Sequence, residues 1–409
     1  MSTPSALRES SPADNPRIYL AVDNCFASKR WTRPEEWIEL IAGMGVRCIE
    51  ASADTECDPL YTTADYLDDW SGEVAEACAR FGARIVNLYS GHGSYTTLGL
   101  AHTDRRIRDH IQNNWLKPMA RRAAALGAGM GFFCHAFPDA ILQEPERYRE
   151  AESDLIERLA EVAAYGEEVG ARPIGVEQMY SPHQIPWTIS GAEGLLKAVY
   201  AGRSAPLYLT VDTGHQVGQR RYLRPPAAAV QASLRHAREG ERPQCLWLGS
   251  RRAHELFATA SQTSLDKGND GVEEGVVAEI LADAGRHPYL FAESDDADPY
   301  RWLERLGCYS PIVHLQQTDG SSSSHRPFTA EHNRRGVVTP ERVLGSLARS
   351  YAREAAAGMP PRCKEIYLTL EIFSGTAETI YEVERAMRES VEYWRRYLPT
   401  DGAVLSGLP

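Results

Sequence analysis

From Ile18 onward, short apolar runs alternate with longer amphipathic stretches. The apolar runs are IYLAVD (18–23), VRCIEAS (46–52), RIVNLYS (84–90), GMGFFCHA (129–136), PIGVEQM (173–179), LYLTVD (207–212), IVHLQQ (312–317) and IYLTLEIF (366–373). Their near-continuous hydrophobicity fits strands buried on both faces of a parallel sheet. Between them lie helical patterns. PEEWIELIAGMG begins with proline and ends with glycine, and ERYREAESDLIERLAEVAAYGEEVG repeats its apolar residues at helical spacing. Eight strands alternating with helices predict an α/β protein of the (β/α)8, or TIM-barrel, architecture. No GxGxxG follows the first strand, and GAGMG precedes its strand as a helix end, which argues against a doubly wound dinucleotide-binding sheet.

The rhythm breaks once. Residues 219–299, between the sixth and seventh strands, are far too long for an ordinary βα connection and read as an insertion on the rim where barrels place their active sites. The remaining organisation is a polar, Pro/Ser-rich lead-in expected to be disordered (1–16), one barrel domain (17–398) and a short C-terminal tail (399–409).

Composition narrows the classes. The 409-residue chain carries a net charge of -12, which disfavours nonspecific binding to nucleic acid or an anionic membrane. It contains neither a signal-peptide pattern nor a membrane-spanning apolar run. Its eight cysteines are scattered without CxxC spacing, so reduced buried thiols and a cytoplasmic location are expected.

The strand ends carry the chemistry. The fifth strand ends in Glu177, the sixth in Asp212 with His215 just beyond, the seventh in His314, Gln316 and Asp319, and the eighth in Glu371. Earlier ends supply Asp23, Asn24, Glu50, His92 and His135. One acid at a strand end is an ordinary cap. Several around one barrel mouth repel and lose solvation, so they must take up protons or hold a cation. Glu177, Asp212, Gln316 and Glu371 make an all-oxygen set if Gln316 ligates through its amide carbonyl, which favours Mn²⁺ or Mg²⁺; His215 nearby keeps Co²⁺ and Zn²⁺ open.

The ends VEQ, VDTGH, HLQQTDG and LE, in this order, resemble the xylose isomerase-like superfamily of sugar isomerases and epimerases, nearest the tagatose 3-epimerase branch. The resemblance runs from Ile18 to about Arg395 apart from the insertion. It implies a metal held by a glutamate, an aspartate, a histidine and a second glutamate, which fall here on Glu177, Asp212, Gln316 and Glu371. The third position departs from the family's HLHTGE pattern, and His314 is the rival ligand. The resemblance also implies substrate contacts from His215 and from an arginine after the seventh strand, for which Arg326, Arg334 and Arg335 are candidates. The implied chemistry is metal-assisted proton transfer next to a ketone, with Glu177 and Glu371 acting from opposite faces of a ketose or ketose phosphate. A tetrulose phosphate is the specific expectation. A keto-inositol dehydratase and a non-catalytic sugar-binding barrel are the alternatives.

The remaining candidates each have two readings. The Ser-rich SSSSHR segment suits a phosphate or a solvated loop. His92 and His135 are substrate contacts or residues of a tight loop and of the core, and Trp187 walls the pocket or packs. Lys29 reads as surface or cap chemistry. Homo-oligomerisation is expected from the family resemblance.

Overall fold

The computed structural model describes residues 15–89, 99–134, 136–203, 205–240, 246–262 and 270–408. Eight parallel strands close into a barrel: β1 (Arg17–Asp23), β2 (Cys48–Ser52), β3 (Arg84–Tyr89), β4 (Gly129–Phe132), β5 (Ile174–Glu177), β6 (Leu207–Asp212), β7 (Ile312–Leu315) and β8 (Glu365–Leu370). Each pairs with the next, and β1 pairs with both β8 and β2, which closes the ring. A short β9 (Ala403–Val404) adds antiparallel to β1, so residues of the expected tail pack on the barrel edge. Of the expected lead-in, only Asn15 and Pro16 are among the described residues, and both are tied to this segment through Ser406 and Leu405.

Strand alternation sorts the side chains into two environments. Leu209, Val211, Val313, Leu315, Leu368 and Leu370 point outward into the core shared with the helices and are fully buried. The intervening residues point into the barrel. Its N-terminal end is plugged by Tyr19, Ala21, Cys48, Val86, Ile312 and Tyr367. Moving along the strands, these apolar side chains give way to buried polar ones, among them Asp23, Glu50, Asp212 and His314. That switch marks the C-terminal end as the chemically active one.

The helices start and stop where local chemistry allows. Helix Pro34–Gly43 opens on proline, and helix Ala64–Phe81 is capped by the Thr63 hydroxyl, which accepts the Tyr66 N–H. Gly82, at φ 65°, ends the latter in the left-handed region that favours glycine.

Within the insertion, helices Ala227–Arg238, Arg251–Ser261 and Asp270–Arg286 gather around an apolar cluster of their own, including Val230, Leu234, Leu248, Val277 and Ile280. The chain leaves and returns at one point, where Leu223 bridges Ala292 and the Trp247 indole donates to the Leu290 carbonyl at 2.7 Å. A pinched base with a separate core lets the insertion sit on the rim without interrupting β6 or β7.

Candidate active site

Register places the polar residues in two layers. β6 and β7 pair Asp212 with His314, and β1 and β2 pair Asp23 with Glu50. His314 and Gln316, two residues apart, share the inward face at successive depths. They therefore occupy different positions in the site.

The deeper layer centres on His314, which has no solvent exposure. One ring nitrogen, Nε2, lies 2.6 Å from Glu50 Oε1; the other, Nδ1, lies 2.9 Å from Glu177 Oε1 and 3.2 Å from Glu371 Oε2. Asn87 donates to the second Glu50 oxygen at 2.7 Å. Burial works against a charged imidazole here, but the charges of Glu371 and Glu50 outweigh it and hold the His314 pKa well above the ordinary histidine value. At Asp23, burial, then the charges of Glu50 and Glu371, push the carboxyl well above the usual aspartate range.

The outer layer holds Glu177, Asp212 and Glu371. Together with His314, their ligand atoms lie within 4.8 Å of one another, and all four residues are buried. Burial raises the Glu371 carboxyl, yet the His314 and His325 imidazoliums overcome this and hold it well below the usual glutamate range. The Tyr89 hydroxyl donates to Glu177 Oε2, and burial followed by the Glu177 charge raises the tyrosine's own pKa. Asp212 caps and lines the site at once: its Oδ1 accepts the N–H groups of Gly214 at 2.6 Å and His215 at 2.9 Å while the carboxylate faces the barrel mouth. The His215 Nδ1 is bonded to the Gln178 carbonyl at 2.7 Å, leaving Nε2 3.9 Å from Asp212 Oδ1.

Gln316 differs from the expectation of an oxygen ligand. Its amide nitrogen donates to both Asp212 oxygens at 2.9 and 3.0 Å, and its carbonyl oxygen accepts the His325 N–H at 2.7 Å. The reason is the loop that follows β7. Gln317 and Arg326 pair through their backbones and fold residues 318–325 back over the mouth, so the Gln316 oxygen is taken up by that loop. Gly214 permits this, since a Cβ there would lie 2.4 Å from the Gln316 amide carbon.

The other candidates separate. Arg326 is within 3.5 Å of Asp319, while Arg334 and Arg335 are exposed at the end of helix Ala330–Asn333. In the Ser-rich loop, Ser321 bonds Asp319, and the Ser322 and Ser324 hydroxyls pair at 2.9 Å. Trp187 is buried against Tyr222, and its carbonyl accepts from Gln219, so it packs beneath the insertion. His92 and His135 lie outside the described residues. Lys29 has φ 70° and lines a cavity of about 610 Å³ with Thr55, Glu56, Tyr61 and Phe373. Two residues of the site are not singled out by the sequence: Tyr89, which closes an unremarkable strand, and His325, whose SSSSHR segment suits a phosphate or a solvated loop.

The donor set suits a hard divalent cation. Three buried carboxylates converge, and the buried Glu371 Oε2 makes only ion-pair contacts, with His314 and His325.

The model of the xylose isomerase-like TIM barrel family matches residues 38–238. A D-erythrulose 1-phosphate 3-epimerase of Brucella abortus (strain 2308) is 32% identical over 121 residues, which are 30% of this chain and 36% of that enzyme. The chain thus spans about a third of that relative's length. Among solved structures, a protein of Rhodospirillum rubrum provisionally described as a xylose isomerase matches with a TM-score of 0.65 and 21% identity, over 93% of this chain and 99% of that one. A D-allulose 3-epimerase of Methylomonas sp. matches with a TM-score of 0.53 and 12% identity, over 93% and 98%. At these identities the structural likeness is one of fold. The closed eight-stranded ring and the nearly full-length structural likeness agree that the chain folds as a (β/α)8 barrel, and residues 38–238 of it resemble the xylose isomerase-like TIM barrel family.

Proposed function

We propose that the protein is a metal-dependent epimerase or isomerase of a short ketose or ketose phosphate, acting by proton transfer at the carbon next to the ketone. One observation carries this reading. Glu177 on β5 and Glu371 after β8, three strands apart round the ring, both reach one imidazole nitrogen of His314, at 2.9 and 3.2 Å. Two carboxylates so placed suit removal of a proton from one face of a substrate and its return to the other.

Glu177, Asp212 and Glu371 would hold the cation, with Mn²⁺ or Mg²⁺ favoured by their oxygen donors. When bound, such an ion supplies positive charge beside the ketone and adjacent hydroxyl, acidifying the intervening C–H. The chain's own residues do the rest. His314 fixes both glutamates from below, and Tyr89 orients the second Glu177 oxygen. His215, held through Nδ1, presents Nε2 to the mouth as a contact for a substrate hydroxyl. The cavity lined by Lys29, Thr55, Tyr61 and Phe373 accommodates the remainder of a small polar substrate. The activity of the Brucella relative, on D-erythrulose 1-phosphate, supports a phosphorylated four-carbon ketose.

The test is proton exchange in deuterated water, followed by NMR, across free and phosphorylated ketoses with Mn²⁺ or Mg²⁺ present and then chelated. Metal-dependent deuterium uptake next to the ketone is the expected result, and the product distinguishes epimerisation from isomerisation. Absence of exchange with every ketose rejects the reading.

A further inference from the structure

His325 occupies an unusual position. Its φ is 44°, and among the described residues only one other non-glycine, Lys29, has a positive φ. A left-handed backbone costs a histidine energy that glycine would not incur, and it persists only where the surroundings impose it. Here they do so on every side. The His325 N–H donates to Gln316 Oε1 at 2.7 Å, its carbonyl accepts the Phe373 N–H at 3.2 Å, and its ring stacks on Phe373 at 4.0 Å and 12°.

The result of this constraint is a ring aimed at the carboxylates. His325 Nδ1 lies 3.3 Å from Glu371 Oε2, and both atoms are buried without a hydrogen bond. The same ring groups with Asp212 and His215 within 4.8 Å. By contrast, both nitrogens of His314 are taken by carboxylates. Gln316, which occupies the place of the family's histidine, has its oxygen committed to the His325 backbone.

We propose that His325, carried in by the loop after β7, is the nitrogen ligand of the divalent-cation site, and that Gln316 is a positioning residue tying Asp212 to the His325 backbone. The inference rests on the metal-dependent reading above and assigns its ligand set as Glu177, Asp212, Glu371 and His325. The loop after β7 thereby contributes a ligand that the strand end no longer provides. A metal ligand delivered by a loop couples loop closure to cation binding, and Gln316 transmits that coupling through one side chain.

The test uses the full chain loaded with Mn²⁺ and pulsed EPR, which detects nitrogen bound to the ion, with and without ¹⁵N-labelled histidine. The wild type shows coupling to histidine nitrogen. His325→Gly, whose glycine adopts the left-handed backbone without strain, loses that coupling and binds Mn²⁺ at least 10-fold more weakly, and added imidazole restores the coupling. Gln316→Ala weakens binding but keeps the coupling, as a positioning role requires. His215→Ala keeps it as well. Histidine coupling that survives in His325→Gly, or vanishes in His215→Ala, overturns the assignment while leaving a metal enzyme in place. A wild type that binds no Mn²⁺ overturns both this assignment and the proposed function.

Discussion

The two polar layers of the barrel mouth are built from the same residue types and behave differently. In the deeper layer His314 has a carboxylate at each ring nitrogen, Glu50 is held by Asn87, and the Asp23 carboxyl is pushed well above its usual range. His314 ties that layer to the one above it, since its Nδ1 reaches Glu177 and Glu371. The outer layer gathers Glu177, Asp212 and Glu371 and leaves Glu371 Oε2 and His325 Nδ1 facing each other without a hydrogen bond. Buried carboxylates without enough protons or donors are stabilised by a cation, so the difference between the layers separates scaffold from site.

The largest effect is expected at Glu177 and Glu371, the carboxylates proposed to move the proton. Glu177→Gln or Glu371→Gln lowers metal-dependent deuterium exchange by about 10²–10⁴-fold with the barrel intact, measured by NMR and circular dichroism. Activity within 10-fold of wild type would remove the outer layer from the chemistry.

Removing the cation of the deeper layer is expected to cost fold stability. His314→Ala leaves Glu50, Glu177 and Glu371 without their shared partner, and urea denaturation shows a loss of about 3–5 kcal/mol. A loss below about 1 kcal/mol means that the layer is not held by that charge.

Adding the ion sharpens the contrast. Mn²⁺ at 100 times its dissociation constant raises the unfolding free energy by about 2.7 kcal/mol, because it binds the folded outer layer. Asp212→Ala loses most of this gain at the same Mn²⁺ concentration. An equal gain in both proteins places the ion elsewhere.

The smallest effect is a pH slope. The folded Asp23 carboxyl is held well above its ordinary value of 3.8, so folding takes up a proton there, and the contribution of this group to the stability of the metal-free protein falls as pH rises past that value. Asp23→Asn keeps the oxygen that accepts the Cys25 N–H and cannot ionise. The two proteins respond alike to pH below 3.8. Above it the wild type falls behind by about 1.4 kcal/mol per pH unit until the folded carboxyl ionises. Urea profiles of the two proteins that stay parallel as pH rises past 3.8 reject the raised aspartate.

The barrel was legible because strands buried on both faces read as apolar runs, and LYLTVD (207–212) coincides with β6 end to end. Other apolar runs extend past their strands: GMGFFCHA (129–136) continues four residues beyond β4, which stops at Phe132. Hydrophobicity continues past the last ladder hydrogen bond, so it marks burial better than pairing. Glu177, Asp212 and Glu371 were visible as acids interrupting apolar strand ends. His325 was not visible, because nothing in SSSSHR states that its loop folds back.

The amino-acid sequence alone determined the periodic strands and helices and the residues that close them, since those depend on local spacing and burial. Tertiary structure decided the division of labour. His314 and Gln316 share a face two residues apart, yet one is enclosed by carboxylates from β2, β5 and the end of β8, and the other is drawn to Asp212 and a returning loop. Which charge neutralises which is set by distances across the closed barrel between residues up to 264 positions apart in the chain, and no local pattern encodes them.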